Sequence, residues 1–177
     1  MYRTLFLLLL LWPLRGEIVD RIAIAVGHQV ITEVQVDEEV RVTAFQNHAP
    51  VSMTAAARRD AANRLIAQLL VEREMQLSHY PAPEPSDVDR YLQQIRSTFS
   101  SDAAYQQALR DYQISEPILK QHLSTQLATL SFIELRFRPD LDVPKSELDA
   151  HIDQILDAWL AEARKQVSII YLDKALQ

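Results

Sequence analysis

Two glycines, Gly16 and Gly27, are all that this chain of 177 residues contains. Phosphate-cradling loops, dinucleotide fingerprints and nucleophile elbows need glycines at fixed spacings, where backbone must approach a ligand or take positive φ. None of them can be built here. Cysteine is absent as well, which removes disulfides, thiolate nucleophiles, zinc knuckles and iron–sulfur clusters together. Hydrophobic residues at 48% and charged residues at 24% are the proportions of a globular chain, so a packed core must supply the stability that cross-links cannot. With 18 Lys+Arg against 24 Asp+Glu, no basic stripe exists to release phosphate counterions, which argues against nucleic acid as a partner.

Residues 1–16 read as a targeting segment. Met1-Tyr2-Arg3-Thr4 gives a short positive start, Leu5 to Trp12 is unbroken apolar sequence, and Pro13-Leu14-Arg15-Gly16 ends it. This is the pattern of a secretory signal peptide, with Gly16 as the small residue before the cut. The apolar run is far short of the roughly 20 residues that span a bilayer as a helix. No stable membrane insertion is therefore expected after cleavage, although an uncleaved anchor stays open because Arg15 is atypical near a cut. Loss of Arg3 and Arg15 takes the formal net charge from -6 to -8.

The remainder, 17–177, predicts a short strand, then helices, then a final strand. Glu17 to Val26 is β-branched and alternating, Gly27-His28 is a turn, and Val30-Ile31 returns briefly as a hairpin. Thr32 and Gln35 form a capping box for a first helix to about Asn47, with Val36, Val40 and Ala44 inward; a strand over Val30–Val36 competes. A second helix follows Ser52-Met53-Thr54, with Ala61, Ala62, Leu65, Ile66, Leu69, Leu70 and Leu77 on its stripe. Pro81, Pro83 and Pro85 end it. Ser86 then caps a third helix (Val88, Tyr91, Leu92, Ile95, Phe99 inward), and Ser101 a fourth (Ala104, Tyr105, Ala108, Leu109, Tyr112). Ser115 caps a fifth, with Leu119, Leu123, Leu127, Leu130 and Ile133 inward to about Arg136. The segment 139–145 is a linker with two prolines. Ser146 begins a sixth helix (Leu148, Ile152, Ile155, Leu156, Trp159, Ala163 inward), and Val167 to Leu172 is the closing strand. Since a lone strand cannot satisfy its own backbone, Ile22–Val26 should pair with Val167–Tyr171.

Few residues suit catalysis. His28, His48, His79, His122 and His151 sit in five separate segments without the spacing that puts two imidazoles on one helix face, so no metal site is expected. Asp37-Glu38-Glu39 reads as a solvated carboxylate run; Arg58-Arg59 and Arg136-Phe137-Arg138 read as helix-end clusters or, less economically, partner contacts. Tyr91, Phe99, Tyr105 and Tyr112 recur through consecutive short helices. They read either as core or, together with Leu92, as the wall of an exposed groove for peptides.

Ile18 to Asp37, of the type I-V-D-R-I-A-I-A-V-G-x-x-V-I-T-x-x-x-V-D, resembles the opening of the SurA-type periplasmic chaperones. Ala62, Leu65-Ile66, Leu69, Leu70-Val71 and Glu74 resemble that family's long second helix. Val143-Pro144-Lys145-Ser146-Glu147-Leu148 is similar to its approach to the first parvulin domain. Trp159 to Arg164 followed by Val167–Leu172 is similar to its last helix and strand. The resemblance covers the whole chain after the leader and implies a mostly α fold: about six helices with a small sheet of N- and C-terminal strands. This is the SurA core or trigger-factor-like peptide-binding domain, divided as 17–138, linker and 146–177. It implies an ATP-independent periplasmic chaperone that holds unfolded secreted or outer-membrane proteins in an apolar crevice, with no cofactor.

The departure from the family is equally informative. One or two parvulin domains usually separate the fifth helix from the last; here a short linker stands in that interval, and no glycine follows Gly27. Prolyl isomerase activity is thus not expected. A different exported binding or assembly protein on the same helical scaffold is the remaining reading.

Overall fold

A computed structural model describes residues 20–137 and 148–177, with side chains in the second span from His151 onward. The expected leader 1–16, the linker 139–145, the Ser146 helix start and the inward placement of Leu148 lie outside it. Strand β1 (Ile22–Val26) turns through Gly27-His28 into β2 (Gln29–Thr32), antiparallel, with Ala25 opposite Val30 and Val26 opposite Gln29. Gly27 has φ +60, and a Cβ there would stand 3.3 Å from Cγ1 of Val167. Any other residue at this turn meets both backbone strain and that close neighbour.

The last strand, β3 (Ile169–Tyr171), pairs antiparallel with the other edge of β1: Ile24 faces Tyr171, and Val26 faces Ile169. The sheet order β2-β1-β3 puts the first strand at the centre and the last at an edge. The expected pairing of the two ends is therefore present. Two hydrogen bonds extend the seam, Gly27 N to Ser168 O at 2.8 Å and Leu172 N to Ala23 O at 2.8 Å.

The fold is mostly helical, with α1 (Glu33–Gln46), α2 (Ala55–Leu77), α3 (Pro85–Ser97), α4 (Asp102–Asp111), α5 (Glu116–Arg136) and α6 (Leu148–Lys165). The capping box at Thr32 is complete, which settles the competing strand reading: β2 stops at Thr32 and α1 starts at the next residue. Thr54, Ser101 and Ser115 accept from the third helical amide of α2, α4 and α5. Ser86 does not cap. Pro85 opens α3, since its fixed φ and missing N–H suit the first turn, and Glu84 is the flanking residue without a side-chain bond.

Glycine poverty reappears at the helix ends. His48, His79 and Gln113 take φ of 50, 56 and 55, the left-handed position that glycine usually fills after a helix. Each sits in a Schellman turn closed by Ala49 N to Ala44 O (2.9 Å), Tyr80 N to Met75 O (2.9 Å) and Ile114 N to Leu109 O (3.0 Å).

Among the described residues three apolar clusters fill the interior. The first joins the sheet to α1 and α2 through Ile24, Ile31, Val36, Ile66 and Leu70. The second gathers Phe45, Leu92, Tyr105, Leu109, Leu119 and Leu123 from α1, α3, α4 and α5. The third sets Val71, Met75, Phe132 and Phe137 against Ile155 and Leu156 of α6, and Trp159 packs on both the first and the third. Three expected inward residues are exposed instead, Leu77 at 64%, Leu130 at 54% and Tyr91 at 36%, while Phe132 is fully buried. A 21-residue helix met by α1, α2 and α3, and by α6 through the third cluster, does not keep one buried stripe, so Leu130 falls outside while Ile133 still packs inward.

Candidate functional site

The site is built on a carboxylate that the sequence reading placed in solvent. Glu39 of α1 is 4% exposed, because it falls between Val36 and Val40 on the inward side of the helix. A buried carboxylate must be paired, and Glu39 is met from two other helices. Arg64 of α2 donates from Nε to Oε1 at 2.7 Å, and Nδ1 of His122 on α5 stands 3.0 Å from Oε2. Since a carboxylate only accepts, His122 carries its proton on Nδ1. Thr43, one turn along α1, donates to Glu39 at 3.3 Å and accepts from Arg64 Nη2 at 3.2 Å. Burial alone pushes the Glu39 carboxyl up. The hydrogen bonds and charges of His122 and Arg64 outweigh that and hold it below its ordinary value of 4.5.

This network floors a cavity of about 450 Å³ between α1, α2, α3, α5 and α6. Its apolar walls are Ala67 and Val71 of α2, Leu130 of α5, and Leu156 and Leu160 of α6, with Tyr91 of α3 at the mouth. Gln46 and Gln126 close one side by exchanging two amide hydrogen bonds, at 3.0 and 2.9 Å. Thr129 donates its hydroxyl to the Thr125 carbonyl at 3.0 Å. The volume is within the range of small-ligand pockets, roughly 300–1,000 Å³.

The five candidate peptide-binding residues divide. Leu92 and Tyr105 are core, at 2% and 0% exposure, and Phe99 and Tyr112 pack against them, with Phe45 stacked on Phe99 at 5.7 Å. Leu92 and Tyr105 are thus enclosed in a core between short helices, and Phe99 and Tyr112 are half-buried against it. Only Tyr91, 36% exposed, reaches the cavity. Tyr105 is tied down further by donating to Glu116 Oε2 at 3.1 Å; burial, then the Glu116 charge, pushes its hydroxyl pKa up. Arg96 lies over its ring at 5.1 Å and pairs with Asp102.

Several of the remaining candidates have structural partners, while Arg138 lies outside the described residues. Arg58 bridges Asp37 at 3.0 Å and Asp173 at 3.7 Å, and Arg59 donates to the Ala175 carbonyl at 3.3 Å, so this basic pair holds the C-terminal segment against α1 and α2. Arg136 lies over the Phe137 ring at 5.9 Å. His48 and His79 serve as helix-ending residues. Among the described residues no group of three or more His, Asp or Glu side chains is placed to hold a metal ion, and no helix is long and apolar enough to cross a membrane.

Sequence reasoning missed Glu39, Arg64 and His122. The signal was available in the periodicity: each is flanked by core residues of its own helix, Val36 and Val40, Ala61 and Ile66, Leu119 and Leu123. No protein-family model matches this chain, and no curated protein matches it either.

Proposed function

We propose that the chain is an ATP-independent periplasmic chaperone of the SurA type without parvulin domains, holding apolar segments of unfolded secreted or outer-membrane proteins. The observation that carries the reading is the open apolar cavity beside exposed Leu130 and Tyr91. Apolar surface left uncovered at the mouth of a ligand-sized cavity is the usual mark of a binding site. Holding needs no cofactor: each contact contributes about 25 cal/mol per Å² of apolar area removed from water, and binding competes with aggregation by mass action. Prolyl isomerisation, by contrast, must lower a barrier of about 20 kcal/mol and needs a closed site around the prolyl bond. In the SurA family that site belongs to the parvulin domains, for which the interval between Phe137 and Leu148 leaves no room.

The test is light scattering of a denatured porin beside proline-limited refolding of a model protein. Expected is suppressed scattering at near-stoichiometric amounts with an unchanged refolding rate. Unaltered scattering at several-fold excess overturns the holding reading, and faster refolding at substoichiometric amounts overturns the non-enzymatic one.

A further inference from the structure

Almost every polar side chain lining the cavity is already committed within the protein. Glu39, Arg64 and Thr43 satisfy one another with His122, Gln46 and Gln126 satisfy each other, and Thr129 serves a backbone carbonyl. Apart from the Tyr91 hydroxyl at the mouth, the exception is Gln68 of α2. Its half-buried carboxamide has no hydrogen-bond partner among the described residues. It also lines two adjoining cavities of about 360 and 120 Å³, so three cavities meet at this one side chain.

Two consequences of charge and hydrogen bonding follow. Of the residues lining the main cavity the one carboxylate, Glu39, is paired with the one guanidinium, Arg64, which leaves no unpaired lining charge for a charged ligand group. The adjoining cavities carry Glu72 and Glu38, neither in an ion pair among the described residues. The rim is therefore acidic while the interior is neutral. A free carboxamide offers donors and acceptors together, the complement of a peptide group and of nothing in a hydrocarbon chain.

We infer that Gln68 is the main-chain reader of the cavity: its carboxamide pairs with a backbone amide of an extended, uncharged peptide segment whose flanking residues are basic. This rests on the client-holding reading and specifies its client class. The cavity runs along α2 from Arg64 to Val71, about 10 Å at 1.5 Å per residue, the span of about three residues of extended chain. The apolar side chains enter between Val71, Leu130 and Leu156, and basic neighbours lie toward Glu38 and Glu72.

The probe is a fluorescein-labelled peptide with a leucine–serine–leucine centre and lysines on both sides, followed by anisotropy. Its counterparts carry glutamates at the flanks, or an ester in place of the central amide. Expected on the wild-type chain is a loss of about tenfold in affinity for the ester, and a comparable loss for the glutamate-flanked peptide. Gln68→Leu should weaken the parent peptide about tenfold and make amide and ester equal, the coupling that marks a direct contact. Thermal melting checks that Gln68→Leu folds, and the ester comparison on the wild-type chain decides the matter if it does not. Equal binding of amide and ester overturns the inference, as does a preference for glutamate flanks. Displacement of the peptide by laurate as readily as by unlabelled peptide also overturns it, in favour of an acyl-chain cavity. If porin scattering is suppressed while these peptides do not bind, the inference falls and the holding function stands. If neither is seen, both fall.

Discussion

At residue 39 a single carboxylate joins three helices, and its protonation is linked to folding. The folded chain holds the Glu39 carboxyl below its ordinary 4.5. The unfolded chain thus takes up the proton first as pH falls. The stabilisation is whole above about pH 4.5 and is lost as pH drops through the lower folded value. Urea unfolding between about pH 6 and about pH 3 should show this loss, and Glu39→Gln should flatten it while costing about 2 kcal/mol at neutral pH. An unchanged acid limb in the variant assigns the pH dependence to other carboxylates. Position 113 makes a separate prediction. Gln113 is exposed and left-handed (φ 55), a conformation that costs an ordinary L-residue about 1 kcal/mol or more. Gln113→Gly should raise the melting temperature by roughly 2 °C, less than the full relief because glycine also loosens the unfolded chain. A lowered melting temperature would mean that the turn is not strained. At this scale the sequence was a partial guide. The Thr32, Ser101 and Ser115 caps could be read because each hydroxyl acts on an amide three residues on. Val36 and Val40 placed Glu39 on the inward side of its helix, but the partners that make a buried carboxylate tolerable, Arg64 and His122, come from other helices and could not be read.

At the scale of elements, local signals specified most boundaries. Pro85 starts α3, while α2 stops at Leu77 just ahead of the Pro81–Pro85 run, and the turn before each serine cap separates α3 from α4 and α4 from α5. What local signals did not specify is the facing of a long helix with several neighbours. On α5 the Leu119–Leu123 stripe holds, then Phe132 turns inward and Leu130 outward, because the packing partner changes from α3 to α2 and α6. The strands behave oppositely. Each is too short to stand alone, and that weakness is what made the β1–β3 pairing legible from two isolated β-branched segments. Deleting residues 166–177 removes β3, the Asp173 partner of Arg58 and buried Leu176 together. The truncated chain should melt well below the full chain and lose exchange protection at β1 amides. Melting within a degree of full length would show that α2 and α6 hold the fold without the sheet.

For the whole molecule, the fold class was legible and the site was not. Aromatic side chains in α3 and α4 read first as core and second as a groove, and residue type alone does not distinguish the two; the second cluster buries Tyr105, with Phe99 and Tyr112 packed against it. The cavity instead is lined from α1, α2, α3, α5 and α6, elements far apart in sequence with no motif to announce their meeting. The central place of β1 in the sheet has a bearing on how the chain is made. Ala25 and Ile170 are neighbours across 145 positions. Closing so long a ring costs about 4 kcal/mol of chain entropy, on top of the cost of ordering each residue. Synthesis delivers the second partner of β1 long after β1 itself, so the helices and the hairpin can form as they emerge, whereas the ring must wait. Until β3 arrives, β1 keeps one row of backbone groups open, and the nascent chain is exposed to strand-edge association.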